Sequence, residues 1–308
     1  MGIPARDPVP TRSLCSWRLR TRTLELGRRT LIMGVVNITP DSFSDGGSFF
    51  APEAAVAHGV QLLDEGADLL DLGAESTRPG SQAGGDSPAV SADEEQARLL
   101  PVLAGILKAR PNALISVDTY KAATARAALA AGAEIVNDVS GFTWDAALAG
   151  VCAAAHCGVA LMHTRGRPGE WRTQPQLEGD ALLATVRSGL AASLATAAGA
   201  GIAVEAIVLD PGYGFGKRFG ENFSLLARQR ELLSLGRPLL AGLSRKSFLG
   251  HTLAPVHGDH SAPVDARETA SLAAMVAAIL QGASVVRVHE VQPAVEAARI
   301  ADAVLNAD

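Results

Sequence analysis

Two aspartates, Asp118 and Asp210, an asparagine, Asn137, and a lysine, Lys246, each stand at or just beyond a short aliphatic run in this 308-residue sequence. Carboxylates accept from paired N–H donors, an amide offers donors and an acceptor, and an ammonium donates to a carbonyl or ring nitrogen. Gathered in one pocket, these groups would suit a flat heterocycle with an amidine-like N–C(NH2)–N edge. Arg287 and His289 are two positions apart, so on a strand both side chains point to the same side. With Ser244-Arg-Lys-Ser247 they form a cationic patch suited to an anion. Residue chemistry therefore reaches a heterocycle plus a phosphate or diphosphate, and leaves the reaction open.

Glycine-rich and turn-rich segments separate these groups. Asn37-Ile-Thr-Pro-Asp-Ser-Phe-Ser-Asp-Gly-Gly47 is longer than a median strand-to-helix loop, with Pro40 to stiffen its base and two glycines to permit a lid. Glu75-Ser-Thr-Arg-Pro-Gly80 puts Arg78 where an anion could be met. Asp118 could cap the helix that follows it, but Thr119 can serve instead and leave Asp118 free. Asp210-Pro-Gly-Tyr-Gly-Phe-Gly-Lys217 lacks the G-x-G-x-x-G spacing and opens no immediate helix, which excludes a dinucleotide-binding turn. His163 reads as a packed hydrogen-bond partner, and His251, His257 and His260 as solvated loop residues rather than metal ligands.

The elements that must position these groups repeat regularly. Eight short aliphatic runs alternate with Ala/Leu-rich segments of helical spacing, such as Pro52 to Glu65, Ala92 to Lys108, Lys121 to Ala131 and Glu268 to Gln281. Near-continuous apolar strands alternating with helices indicate a parallel sheet covered by helices. At or just beyond the strand ends stand Asn37, Glu75, Asp118, Asn137, His163, Asp210, Lys246 and His289, on average 36 residues apart. An open doubly wound sheet needs chemistry at one crevice only, whereas a closed (β/α)8 TIM barrel brings all eight ends to one mouth. The barrel is the expected fold: residues 1–29 form a tail and leading hairpin around Trp17–Gly27, and 30–308 form the barrel.

Composition narrows the function classes. Hydrophobic residues make up 48% of the chain, enough for a packed core, and 27 basic against 32 acidic residues give a net charge of −5, with no basic excess for nucleic acid. Cys15, Cys152 and Cys157 are too few and too oddly spaced for a disulfide framework, so buried thiols in a reducing cytoplasm are expected. No stretch reads as membrane-spanning, the most apolar being Ser271 to Leu280, and the first residues lack a signal-peptide core despite seven arginines in 1–29.

Along these motifs, the sequence closely resembles the dihydropteroate synthase family of pterin-binding barrels. The matching segments are Met33 to Gly47, Glu75 to Gly80, Ser116 to Thr119, Val136 to Val139, Leu209 to Lys217, Gly242 to Ser247 and Val286 to His289, all in order. The resemblance runs from about Leu31 to the C-terminus and leaves residues 1–29 and the His251–Asp265 segment without a counterpart. Tyr213 departs from the family's usual aromatic residue at that position, a change expected to matter little.

The resemblance implies an alkyl-group transferase of folate biosynthesis. It would condense 6-hydroxymethyl-7,8-dihydropterin diphosphate with 4-aminobenzoate to 7,8-dihydropteroate and diphosphate, with Mg2+. It further implies that Asp118, Asn137, Asp210 and Lys246 bind pterin and that Asn37 helps hold Mg2+. Arg287 and His289 would grip the diphosphate, joined by Thr77, Arg78 and Asp45. Phe43, Thr77, Pro79, Phe215 and Ser247 would line the aminobenzoate site, where sulfonamides compete. Asp118, Lys246, Arg287 and His289 would be the catalytic set, and similar enzymes suggest a monofunctional homodimer. Two other readings remain: a non-catalytic pterin-binding paralogue, and a methyltransferase using methyltetrahydrofolate, which would need neither the diphosphate cations nor the lid.

Overall fold

The computed structural model describes residues 12–39, 52–77, 80–85 and 90–307. The described chain opens with an antiparallel hairpin, β1 (Cys15–Arg18) and β2 (Thr23–Leu26). Eight parallel strands then follow: β3 (Leu31–Asn37), β4 (Leu69–Gly73), β5 (Ile115–Asp118), β6 (Ile135–Asp138), β7 (Gly158–Met162), β8 (Ile207–Asp210), β9 (Leu239–Ala241) and β10 (Ala283–Val288). Each pairs with the next, and β10 returns to β3, so the expected barrel closes. Outside it lie α1 (Pro52–Asp64), α2 (Ala92–Ala109), α3 (Ala122–Ala130), α4 (Leu148–Ala155), α5 (Gly179–Gly199), α6 (Phe219–Ala227), α7 (Ser247–Thr252), α8 (Glu268–Leu280) and α9 (Val291–Leu305).

Strand alternation divides the apolar residues between two cores. Ile32, Val36, Leu70, Leu72, Val117, Val136 and Val286 belong to the larger core, shared with helix residues such as Leu62, Leu103 and Ile279. Leu31, Met33, Leu69, Leu114, Ile135, Ala160, Val208, Leu240 and Val285 pack against one another and against Trp17, Leu19 and Leu26 of the hairpin. The hairpin therefore plugs the end of the barrel at which the strands begin. Trp17 is fully buried and donates from Nε1 to the Ala206 carbonyl at 2.9 Å, and the Thr21 amide donates to Glu134 at 2.8 Å. Gly158 makes room for the plug, because a Cβ there would stand 2.6 Å from Leu19 Cδ2.

Cys152 lies in α4 and Cys157 beyond its end. α4 ends at Ala155, His156 turns at φ 51°, and Cys157 leads into β7 with its thiol donating to the Cys152 carbonyl at 3.7 Å. Both cysteines are buried in the core as free thiols. α5, rather than the stretch from Ser271 to Leu280, is the one helix among the described residues long and apolar enough to cross a membrane. Its Leu182, Leu183, Val186 and Leu190 are buried in the barrel's outer core, which accounts for its composition.

Candidate active site

The inner face of the barrel turns polar toward the ends of the strands. The β4 sequence Leu69-Leu-Asp-Leu-Gly73 sends Leu69 into the apolar plug and Asp71, two residues on, into the next layer. Asp71 is fully buried. Its Oδ1 accepts from Ser116 Oγ on β5 at 2.7 Å, and its Oδ2 accepts from Asn137 Nδ2 on β6 at 2.9 Å and from Arg287 Nε on β10 at 2.6 Å. Arg287 continues through Nη2 to Asp118 Oδ2 at 2.9 Å. Three of the expected site residues are thus joined through a fourth that motif reasoning passed over. The polar residue just past β4 is Glu75, not Asp71. The available signal was an aspartate inside an otherwise apolar strand.

Glu75 plays a different part. Its side chain pairs with Lys121, which also donates to Glu95 at 3.0 Å, so it anchors the loop carrying Thr77 instead of facing the mouth. The helix after β5 is not capped by Asp118. Thr119 Oγ1 accepts from the Lys121 amide at 3.1 Å and Asp145 accepts from the Ala122 amide at 2.8 Å, which leaves Asp118 for the mouth. On β6, Asn137 points inward, while its neighbour Asp138 accepts from the amide and hydroxyl of Ser140 and holds the turn.

Asp210 ends β8 and accepts from the Gly212 amide at 2.7 Å. The loop after it needs glycine: Gly212 has φ +71° and a Cβ there would lie 1.9 Å from the His163 carbonyl oxygen. Lys217 locks this loop, donating from Nζ to the carbonyls of Gly212 at 2.8 Å and of His163 and Phe215 at 3.2 Å. The glycine-rich motif alone gives no sign of this task for Lys217. Tyr213 is buried beneath, its hydroxyl donating to Gln229 Oε1 at 2.8 Å, so the departure from the usual aromatic comes with a partner. The locked loop sets Phe215 under Lys246, whose Nζ stands 4.0 Å from the ring centroid.

Lys246 follows Arg245, which adopts φ 60° and turns outward to pair with Glu290. That twist separates two adjacent cations, one to the surface and one to the mouth. Gly242, just past β9, faces the interior: a Cβ there would lie 3.8 Å from Asp210 Oδ2 and 3.9 Å from Arg287 Cβ, ordinary contact distances. His289 is turned to the β9 side, its Nδ1 2.9 Å from Ser244 Oγ, so it and Arg287 meet different walls of the opening. Asn37, at the end of β3, and Thr77, beyond β4, are half-buried, and Ser247 is exposed at the start of α7. Phe43, Asp45, Arg78 and Pro79 lie outside the described residues.

Burial drives the electrostatics. It pushes the Asp118 carboxyl up to about 7, although Arg287 pulls the other way. It raises Asp210 too, against the Gly212 amide and Lys246. Lys246 is pulled down to about 8 by burial and by Arg287, with Asp210 and Asp118 opposing. Burial works against the Arg287 charge, but Asp71 and Asp118 outweigh it and keep the guanidinium cationic. The mouth therefore holds one acid, Asp118, and one base, Lys246, poised near neutrality beside the fixed Arg287 cation, with Asp210 raised as well, an arrangement typical of functional clefts.

A family model described as pterin binding enzyme matches residues 33–289. The chain belongs to the dihydropteroate synthase branch of this family. It is 41% identical over 278 residues to the dihydropteroate synthase of Escherichia coli (strain K12), covering 90% of this chain and 92% of that one. The structure of Xanthomonas albilineans dihydropteroate synthase with 4-aminobenzoic acid superposes at a TM-score of 0.82, with 39% identity over 96% of this chain and all of that one. The Yersinia pestis dihydropteroate synthase in a sulfonamide drug complex does so at 0.83, with 37% identity over 95% of this chain and 100% of that one. The protein is accordingly an enzyme, a transferase of folate biosynthesis.

Proposed function

We propose that this protein condenses 6-hydroxymethyl-7,8-dihydropterin diphosphate with 4-aminobenzoate, releasing diphosphate, and that Asp118, Asn137, Asp210 and Lys246 hold the pterin. The observation that carries this reading is the convergence of two inward carboxylates, an amide and a lysine at the ends of β5, β6 and β8 and just beyond β9, beside the Arg287 guanidinium. In this reading Asp210 takes the N–H and NH2 edge of the ring, and Lys246 meets its carbonyl or a ring nitrogen. The C–O bond ionises before the amine attacks. An electron-rich dihydropterin spreads the resulting cation, ionised Asp118 stabilises it, and Arg287 and His289 hold the departing charge. No protein nucleophile is needed.

The donor set suits Mg2+ carried by the substrate. This hard cation keeps several waters and takes phosphate oxygens, so it needs few protein ligands; the Asn37 amide oxygen would hold it and Mg2+ would neutralise diphosphate charge. Thr77, Arg78 and Asp45 are proposed to join at the diphosphate, and Phe43, Thr77, Pro79, Phe215 and Ser247 to receive 4-aminobenzoate or a competing sulfonamide. That related synthases are known with 4-aminobenzoic acid and with a sulfonamide drug supports both as ligands here.

The three free thiols suit the cytoplasm. The exposed Ile300 and Val304 on α9 offer an apolar face for a homodimer. Incubation with the pterin diphosphate, 4-aminobenzoate and Mg2+ should release diphosphate and form dihydropteroate. Binding of the pterin without turnover would instead mark a non-catalytic pterin-binding protein.

A further inference from the structure

Among the described residues, Asp71 is the one fully buried carboxylate that joins four strands of the barrel, and the chemistry proposed above gives it no task. A buried carboxylate is costly unless donors surround it, and here the donors are Ser116, Asn137 and Arg287. Two of them belong to the proposed substrate site. Because a carboxylate paired with a guanidinium accepts only, the Asn137 group facing it must be the NH2, and the amide oxygen lies at the other end. Asn137 is therefore set to accept from a ligand N–H. On Arg287, Asp71 takes Nε and Asp118 takes Nη2, while Nη1 has no hydrogen-bond partner among the described residues.

We propose that Asp71 is a positioning residue of the pterin site: it orients the Asn137 amide so that its oxygen faces the ligand, and it fixes Arg287 from below so that Nη1 is left for the diphosphate. This rests on the function proposed above and names how the same site is ordered. Ser116 supports Asp71 from the opposite oxygen, and Asp118 shares the guanidinium. Asp71 itself touches no ligand in this arrangement.

The test is Asp71→Asn, which keeps the shape but replaces one acceptor oxygen and the charge. Misplacement of the amide and guanidinium should lower kcat/KM for the pterin diphosphate by about a hundredfold. Calorimetric affinity for 6-hydroxymethylpterin without diphosphate should fall about tenfold, a smaller loss because Arg287 is not engaged by that ligand. A role confined to stability would lower Tm and leave both constants, per folded protein, as in the parent. A double-mutant cycle with Asn137→Ala should be strongly non-additive for pterin affinity, since Asp71 acts there through Asn137.

Additive losses, or constants within twofold of the parent, would overturn the proposal. If Asp71→Asn does not fold, Ser116→Ala carries the test: a several-fold loss in the same two constants is expected, and no change overturns the proposal. A parent protein that releases no diphosphate would remove the proposed function and this inference with it, whereas an active parent with an unaffected Asp71→Asn removes this inference alone.

Discussion

The Lys246 ammonium stands 4.0 Å from the centroid of the Phe215 ring, joining a residue read as pterin-binding to one read as lining the aminobenzoate site. A cation over an aromatic face is worth about 1–2 kcal/mol when partly desolvated. Phe215→Leu should therefore lower kcat/KM for both substrates by about tenfold, the change a loss of that size produces. Steady-state kinetics with each substrate varied in turn will check this. An effect confined to 4-aminobenzoate would show that the ring matters to that ligand alone.

The pH dependence follows from Asp118 and Lys246. Asp118 is pushed up to about 7 and must be ionised to stabilise a cation, so kcat/KM should rise with pH through that region. Lys246 is pulled down to about 8 and must be protonated to donate, so the rate should fall above it. The profile of kcat/KM for the pterin diphosphate should be bell-shaped with a narrow optimum between these limbs. Lys246→Arg, which stays charged, should remove the alkaline limb whatever its effect on the maximum.

Asp210→Ala should abolish pterin binding, because the carboxylate that meets the N–H and NH2 edge is lost. Arg287→Ala should weaken the diphosphate substrate more than pterin alone. The ion pairs add a second expectation: without Arg287, Asp71 and Asp118 lose their shared cation. Removing one partner of a buried pair costs about 3 kcal/mol or more, so Arg287→Ala should also unfold at lower temperature than Asp210→Ala. Calorimetry with both ligands and thermal unfolding of both variants decide this.

Trp17→Ala tests the hairpin plug. The indole is fully buried against the inner layer of the barrel, and truncating such a side chain costs about 3–5 kcal/mol. Denaturant unfolding should show that loss, while kcat per folded molecule stays near the parent value because the plug lies at the opposite end from the mouth. A parent-like midpoint would mean that the hairpin contributes little to the closed barrel.

Tyr213 and Gln229 form a buried hydroxyl–amide pair, and Gln229 Nε2 also donates to the Ala278 carbonyl at 3.0 Å. Gln229→Leu should cost about 2 kcal/mol by leaving the Tyr213 hydroxyl without an acceptor, and adding Tyr213→Phe should recover part of that loss. Thermal unfolding of the two single variants and the double variant reads the coupling directly.

The alternation of aliphatic runs with helical segments was enough to indicate a parallel sheet covered by helices, and the polar residue at each of eight strand ends pointed to a closed barrel. Asp118, Asn137 and Asp210 were legible for a related reason: a polar residue closing an aliphatic run has the barrel mouth to face. What only the folded molecule decided is which of these groups meet. Asp71 lies inside a strand, and nothing local says that its carboxylate will collect Ser116, Asn137 and Arg287 from three other strands. Glu75 looked like a mouth residue until Lys121, itself shared with Glu95 on α2, paired with it. Lys217 needed three carbonyls brought together before it had a place. Strand patterning is a property of residues two apart, whereas the partners of a buried charge are set by closing the barrel, which brings residues as distant as Asp71 and Arg287 within hydrogen-bond reach.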